Sequence, residues 1–300
     1  MFDKIIGESI MIPINGTDKL HLRRIYKNET GTPVFMIHGA IENGKIFYSD
    51  SGKGLAYYLA QKGYDVYAGD LRGKGESSPP ITHCSLYGQT EAIIEDIPAF
   101  IDTIIKIRGQ IPQYWIAHSW GGVLLNSYLA RFNKHRNLVK KIVYFGTKRT
   151  IKVINIKRFF IIEGIWKFLS QIIIMYKGFL DLENLGIGSD KETKKFYFQC
   201  LKWVKPSPWV DSDDNFDYGS AIKKIKLPPV LYLAGAADAC LGHPNDVHDF
   251  MMESGAEFAQ FRILGKKYEN LHDYGHIDML VHPDAVKDHF PLVIEWFEKD

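Results

Sequence analysis

A serine stands between a short apolar run and a pair of glycines in residues 113–122, QYWIAHSWGG. The apolar residues before it predict a buried strand and the spacing of apolar residues after it predicts a helix, so Ser119 falls in the turn between them. Close packing of strand against helix requires small residues two positions before and two positions after the serine, and Ala117 and Gly121 stand there. Such a sharp turn presents its serine as a nucleophile. The alternative is an ordinary turn in which the serine only caps the helix.

A nucleophilic serine needs a base, and the base needs a carboxylate that orients it. Asp238 ends the sequence GAAD, directly after a predicted strand at 230–234. His276 lies in DYGHIDML, after another strand-like run at 258–264 and before a helical segment. Serine, acid and histidine therefore follow one another in the chain order that goes with a serine on a strand-to-helix turn.

Two further loops follow predicted strands. The pair His38 and Gly39 ends the strand at 34–37, and a backbone amide just beyond it could join the Trp120 amide in binding an oxyanion. A fourth strand runs into the sequence DLRGKGES at 70–77.

Together, HG, DxRGxGxS, (A/G)HSxGG, GxxD and GH resemble the α/β-hydrolase superfamily, over nearly all of the chain outside an insertion at about 147–220. The forms GHPNDV and DYGHIDMLVHPDA look more like the lipase-like branch, with its acid lipases and carboxylic-ester hydrolases, than like dehalogenases or epoxide hydrolases, whose nucleophile is aspartate. The resemblance implies that the loop with Arg72 and Lys74 is mainly structural. It also implies a site composed of Ser119 as nucleophile, His276 as general base and acid, Asp238 as its orienting acid, and the amides of Trp120 and Ala40 as oxyanion hole, with Ile41 as the alternative to Ala40.

Other side chains compete for these roles. A residue next to the nucleophile along the chain points away from it, so we expect His118 to pack within the turn and His38 to shape the oxyanion loop. His272 is the stronger competitor for the base, but it precedes the turn at Gly275. A substitute acid is available in the cluster Asp211, Asp213 and Asp214. We favour a solvated loop there, which caps the segment beginning near Tyr218.

The pattern of elements predicts an α/β fold: a mostly parallel, eight-stranded, doubly wound sheet with a helical cap insertion. Strands are predicted at 9–14, 21–26, 33–38, 64–70, 112–117, 141–146, 228–234 and 258–264, and helices at 51–62, 88–107, 120–133, 243–255 and 283–298. The first two strands flank an NGTD turn and are expected to pair antiparallel at one edge. We predict a catalytic domain of residues 1–146 and 221–300 with a cap at 147–220.

Composition limits the class of protein. The 300-residue chain is 46% hydrophobic, which suits one large domain with an inserted cap. Its formal charge of +2 argues against a nucleic-acid surface, and without zinc-ligand spacing or a phosphate-binding glycine loop we expect no cofactor or metal. The three separated cysteines, Cys84, Cys200 and Cys240, suit a reducing compartment. Asp3, Lys4 and Glu8 interrupt any signal core, so we predict a cytoplasmic protein, with signal-independent export left open.

The insertion carries the information about substrate. Residues 148–180 contain seven basic side chains against one acid, Glu163: Lys148, Arg149, Lys152, Lys157, Arg158, Lys167 and Lys177. Residues 159–176 predict an apolar, aromatic helix with a narrow polar stripe. It is either a cap helix buried against the catalytic domain or an interfacial lid that contacts anionic lipid. The longest uncharged run, 168–176, predicts no transmembrane span.

Both versions of the insertion place apolar walls over Ser119. We therefore predict a serine hydrolase of hydrophobic, lipid-like carboxylic esters that works through an acyl-enzyme. An acyltransferase, a thioesterase or a carbon–carbon bond hydrolase would use the same triad. A non-catalytic binding protein on this fold is a further alternative, although such a protein has no physical reason to keep all three triad residues.

Overall fold

A computed structural model describes residues 4–299. Its main sheet has eight strands in the order β1-β2-β4-β3-β5-β6-β9-β10, and a separate pair, β7 and β8, lies in the insertion. The strands are β1 (Ile6–Pro13), β2 (Lys19–Tyr26), β3 (Pro33–Ile37), β4 (Asp65–Asp70), β5 (Gln113–His118), β6 (Val139–Phe145), β7 (Phe179–Leu180), β8 (Glu192–Thr193), β9 (Val230–Gly235) and β10 (Ala259–Leu264).

Strand direction within the main sheet is mixed only at one edge. β2 pairs antiparallel with both β1 and β4, whereas β4, β3, β5, β6, β9 and β10 run parallel. Every residue of β3, β4, β5 and β9 is buried, as expected for strands covered on both faces. The predicted α/β class, strand number and antiparallel edge are confirmed.

Helices cover both faces of the sheet and build two large apolar clusters, one on each side. They comprise Leu55–Gln61, Gln89–Glu91 continued through Ala92–Asp96 and Ile97–Arg108, Trp120–Arg131, Ile156–Lys177, Lys194–Trp203, Tyr218–Ile222, Pro244–Ser254, Asp278–Val281, Ala285–Asp288 and Phe290–Glu298. The single helix predicted at 283–298 was wrong. The helix is interrupted at His289, because Pro291 has no backbone N–H and fits only in the first turn of a new helix.

Within the insertion, the helix Ile156–Lys177, here named the cap helix, is wound as a π-helix over Phe159–Leu169. The prediction that no segment has the makeup of a membrane span was wrong. The cap helix has 22 residues, and its most apolar 18-residue window has a mean hydropathy of 1.5, so it is long and apolar enough to cross a membrane by length and composition alone. Only 17% of that window is buried. Its two central charges, Glu163 and Lys167, form an ion pair at 2.8 Å. The requirement for an unbroken uncharged run was therefore too strict as a test for a membrane span. The division into two domains and the cellular location stay predictions.

Candidate active site

Ser119 lies in the turn between β5 and the helix Trp120–Arg131, with φ 51° and ψ −123°. A positive φ is rare for a residue with a side chain and marks a strained turn. The Ser119 amide donates to Phe145 O of β6 at 2.8 Å, which fixes the turn against the neighbouring strand. A Cβ on Gly121 would lie 2.5 Å from His38 O and 2.6 Å from Ile37 O, so the close packing here requires glycine.

His276 and Asp238 come from loops after different strands and meet beside this turn. The His276 Nδ1–H donates to Asp238 Oδ2 at 2.6 Å, and Asp238 Oδ1 accepts from the amides of Cys240 and Leu241 at 3.2 and 2.9 Å. Gly146 lies against the imidazole, because a Cβ there would be 2.8 Å from Nδ1. Among residues 4–299, Ser119 Oγ forms no hydrogen bond, and in unliganded enzymes such bonds are often formed only with substrate bound.

The pKa values favour a neutral histidine. Burial lowers the pKa of His276 below 6.5, against the raising effect of Asp238. Burial alone would raise the pKa of Asp238, but the charge and hydrogen bond of His276 together with backbone amides lower it to about 2. An ionised Asp238 thus holds a neutral His276 with Nδ1 protonated and Nε2 free to accept a proton.

A second buried pair, which the sequence interpretation missed, supports this histidine. His118 was expected only to pack, but its Nδ1–H donates to Glu42 at 2.8 Å and its Nε2–H donates to the backbone oxygen of His276 at 3.1 Å. Burial lowers the pKa of His118, but Glu42 outweighs burial and raises it. The two histidine rings are 4.7 Å apart, so a protonated His118 opposes protonation of His276. Glu42, three residues after Gly39, was the only signal in the sequence for this pair.

The loop after β3 passes directly over the serine turn. A Cβ on Gly39 would lie 2.8 Å from Ser119 Cβ and 3.0 Å from Trp120 N. The two candidate donors in this loop, the amides of Ala40 and Ile41, differ in availability. The Ile41 amide donates to Glu192 at 3.2 Å, whereas the Ala40 amide has no acceptor in the described part of the chain. Trp120 is the first residue of its helix, and an amide at that position has no partner within the helix.

The competing residues have other partners. His38 Nε2 accepts from the Leu71 amide and its Nδ1–H donates to Gly39 O, which ties the oxyanion loop to the end of β4. The interpretation of the acidic cluster as a solvated loop was wrong for Asp211, which is buried and accepts from Thr90 and Tyr218. The cap of the helix Tyr218–Ile222 is instead Asp217.

One group of side chains between residues 4 and 299 has the donor set of a metal site. His272, His282 and Asp284 place one ligand atom each within 4.8 Å of one another. Asp284 is already paired with His272 and Lys287, each at 2.8 Å. The group is half-exposed and includes none of the proposed catalytic residues.

The basic residues of the insertion do not form one surface. Lys148 and Arg149 are buried, and Arg149 pairs with Glu253 at 2.5 Å. Lys148 Nζ lies 5.9 Å from the centre of the Trp120 ring, and burial lowers the pKa of this lysine against the attraction of Asp238. Five of the seven basic side chains therefore remain toward solvent.

The chain is similar in sequence to known hydrolases. A family model described as alpha/beta hydrolase fold matches residues 32–161. Human gastric triacylglycerol lipase is 30% identical over 157 residues, which are 48% of this chain and 38% of the lipase. The "Probable lysophospholipase L2" of Haemophilus influenzae is 28% identical over 119 residues, 40% of this chain and 37% of that protein. The chain thus spans well under two thirds of the length of these relatives.

The solved structure of a soluble variant of monoglyceride lipase from Saccharomyces cerevisiae, in complex with a substrate analogue, has the same fold. Its TM-score is 0.71 at 18% identity, with 100% of this chain and 96% of that chain covered. The chain has the α/β-hydrolase fold, and the proteins to which it is similar include lipases.

Proposed function

We propose that this protein is a serine hydrolase that cleaves carboxylic esters of hydrophobic acyl groups. The observation that carries the proposal is the strained turn at Ser119 together with a buried His276 that is bonded at 2.6 Å to Asp238 and whose ring lies 4.7 Å from that of His118, the residue before the serine. Serine, base and orienting acid form the group that activates a hydroxyl for attack on an acyl carbon.

In the proposed mechanism, Ser119 Oγ attacks the ester carbonyl carbon while His276 Nε2 takes the hydroxyl proton. Asp238 holds the Nδ1–H and stabilises the imidazolium that forms. The amides of Trp120 and Ala40 donate to the oxyanion of the tetrahedral intermediate. His276 then gives its proton to the leaving alcohol, and a water molecule that it deprotonates releases the acid from Ser119.

The inner face of the cap helix supports a hydrophobic acyl group. Ile165 and Trp166 belong to an apolar cluster that also contacts Ile41, next to the proposed donor Ala40. Ile162 lies in the same core cluster as Trp120. Each buried methylene contributes about 0.8 kcal/mol, so kcat/KM should rise from acetate towards medium-chain p-nitrophenyl esters until the pocket is full. Preference for acetate over octanoate would remove the lipid-like substrate from the proposal.

Labelling with a fluorophosphonate followed by peptide mapping tests the catalytic assignment. We expect one adduct, on Ser119, and a loss of about 10³-fold or more in turnover for Ser119→Ala with the fold retained. Equal labelling of the alanine variant would contradict the assignment.

The outer face of the cap helix supports contact with a membrane surface. Seven large apolar side chains at and just before this helix are exposed: Ile154, Ile156, Phe159, Phe160, Phe168, Met175 and Tyr176. Most basic neighbours have acidic partners: Lys152 pairs with Asp249, Arg158 and Lys167 with Glu163, and Lys177 with Asp181. We therefore expect apolar insertion to contribute more than attraction to anionic lipid.

Sedimentation with phospholipid vesicles tests this contact. The double variant Phe160→Ser and Phe168→Ser should bind about tenfold or more weakly than the native protein, because two buried aromatic rings are lost. The matched control, Leu86→Ser and Met252→Ser, changes two side chains elsewhere that are equally apolar and exposed, 80% and 66%. Equal loss in both double variants, or in neither, would show that the cap helix is not the membrane contact.

A further inference from the structure

A short segment of the insertion holds the loop that carries the proposed oxyanion donor. Residues 188–192, here named the latch, contact Ile41 through both of its backbone polar groups. Ile41 N donates to Glu192 Oε2 at 3.2 Å, and Ile41 O accepts from the amides of Ser189 and Asp190 at 2.9 and 3.1 Å. Gly188 packs so closely that a Cβ there would lie 2.5 Å from Ile41 O.

Ile41 needs such support because its backbone is strained. Its φ is 52°, a region that β-branched residues rarely adopt. Strain of this kind persists only where the surroundings fix the conformation. Within residues 4–299, the hydrogen bonds to the Ile41 backbone all come from the latch. The conformation of the residue after Ala40 thus depends on the insertion.

Glu192 is anchored deeply enough to hold this position. It is 1% exposed, and Oε2 accepts from Lys74 Nζ at 2.7 Å. Lys74 is also buried and donates to Lys191 O at 2.6 Å. A neighbouring latch carboxylate, Asp190, accepts from Asn43 at 3.0 Å and from the Gly75 amide at 2.5 Å.

We propose that Glu192 is a positioning residue for the oxyanion hole: by accepting from Ile41 N it holds the loop after β3 so that the Ala40 amide points at the reacting oxygen. The inference rests on the proposed esterase function. This positioning role gives the insertion a part in catalysis in addition to lining the substrate pocket, because displacement of the latch would misplace an oxyanion donor.

The test uses Glu192→Ala and Glu192→Gln, with Glu163→Gln as the matched control. Glutamine keeps an oxygen that can accept from Ile41 N, whereas alanine keeps none. Both remove the charge that pairs with Lys74, so both should lower the unfolding midpoint. Glu163→Gln removes the charge of a half-exposed pair on the cap helix and should change neither stability nor activity appreciably.

Kinetics with a soluble short-chain p-nitrophenyl ester separate positioning from stability. We expect Glu192→Ala to lower kcat about 10- to 10²-fold with KM changed less than about threefold. The affinity for an alkyl boronic acid, whose adduct with serine occupies the oxyanion hole, should fall by the same factor as kcat/KM. Glu192→Gln should restore most of both, although it is equally destabilised.

Native kcat and boronate affinity in a destabilised Glu192→Ala would overturn the proposal and leave the latch a structural tie. If Glu192→Ala does not fold, Gly188→Ala decides, because its added methyl pushes the latch from Ile41 while keeping the ion pair. We expect the same parallel loss of kcat and boronate affinity there, and native values would again overturn the proposal. Activity retained in Ser119→Ala would instead refute the proposed function itself.

Discussion

The contact between Gly121 and the end of β3 allows a quantitative prediction. In Gly121→Ala, the new Cβ would lie 2.5 Å from His38 O, whereas ordinary contact begins at 3.4 Å, so the helix and strand must separate by about 0.9 Å, the difference between these distances. Both nearest atoms belong to backbone, which cannot rotate away as a side chain can. We expect overpacking to cost about 1–3 kcal/mol, offset by about 1 kcal/mol from the better helix propensity of alanine, so that the net loss is at most about 2 kcal/mol.

The same separation should affect catalysis more than stability. Ala40 follows His38 by two residues and Trp120 precedes Gly121, so the two proposed oxyanion donors would move apart. A misplacement of about 1 Å in an active site costs on the order of 10²-fold in rate. We therefore expect kcat/KM of Gly121→Ala to fall about 10²-fold, while the free energy of unfolding falls by no more than about 2 kcal/mol.

Steady-state kinetics on a soluble short-chain ester and urea unfolding measure the two effects. The matched control is Gly164→Ala on the cap helix, where a Cβ would meet nothing within 4 Å. This control should keep native kcat/KM and gain up to about 1 kcal/mol of stability. Native kcat/KM in Gly121→Ala would refute the reasoning, as would a loss of equal size in the control.

Three other predictions concern the buried charges. Because burial lowers the pKa of His276 and its neutral form is the base, kcat/KM should fall on the acid side with a midpoint below pH 6.5 and stay level above it; a midpoint above 6.5 would contradict this. Asp238→Asn should stay folded by circular dichroism but lose on the order of 10⁴-fold in turnover, since the wrong imidazole tautomer is favoured; full activity there would move the orienting acid elsewhere. Glu42→Gln removes the charge that raises the pKa of His118, so the acid midpoint should shift upwards as His118 loses its proton, while an unchanged pH profile would limit this pair to packing.

The sequence by itself determined the sheet and the order of the proposed catalytic residues. Runs of four to seven apolar residues, turn residues and helical spacing are local signals, and they placed Ser119, Asp238 and His276 after strands whose carboxyl ends meet at one edge. The break before Pro291 was also readable from sequence, because a proline cannot continue a helix from its interior. The length of the longest uncharged run underestimated how apolar the cap helix is, because Glu163 and Lys167 within it pair with each other.

Only the tertiary structure decided which polar groups meet. His118 reaches Glu42 across 76 residues of chain, and Ile41 reaches Glu192 across 151. Lys148 belongs by sequence to a basic stretch, yet it is buried beside Trp120 because it follows β6, which lies between β5 and β9 inside the sheet. The periodicity of a sequence fixes which face of an element is apolar, but a hydrogen bond between two loops depends on where the whole chain brings their ends together.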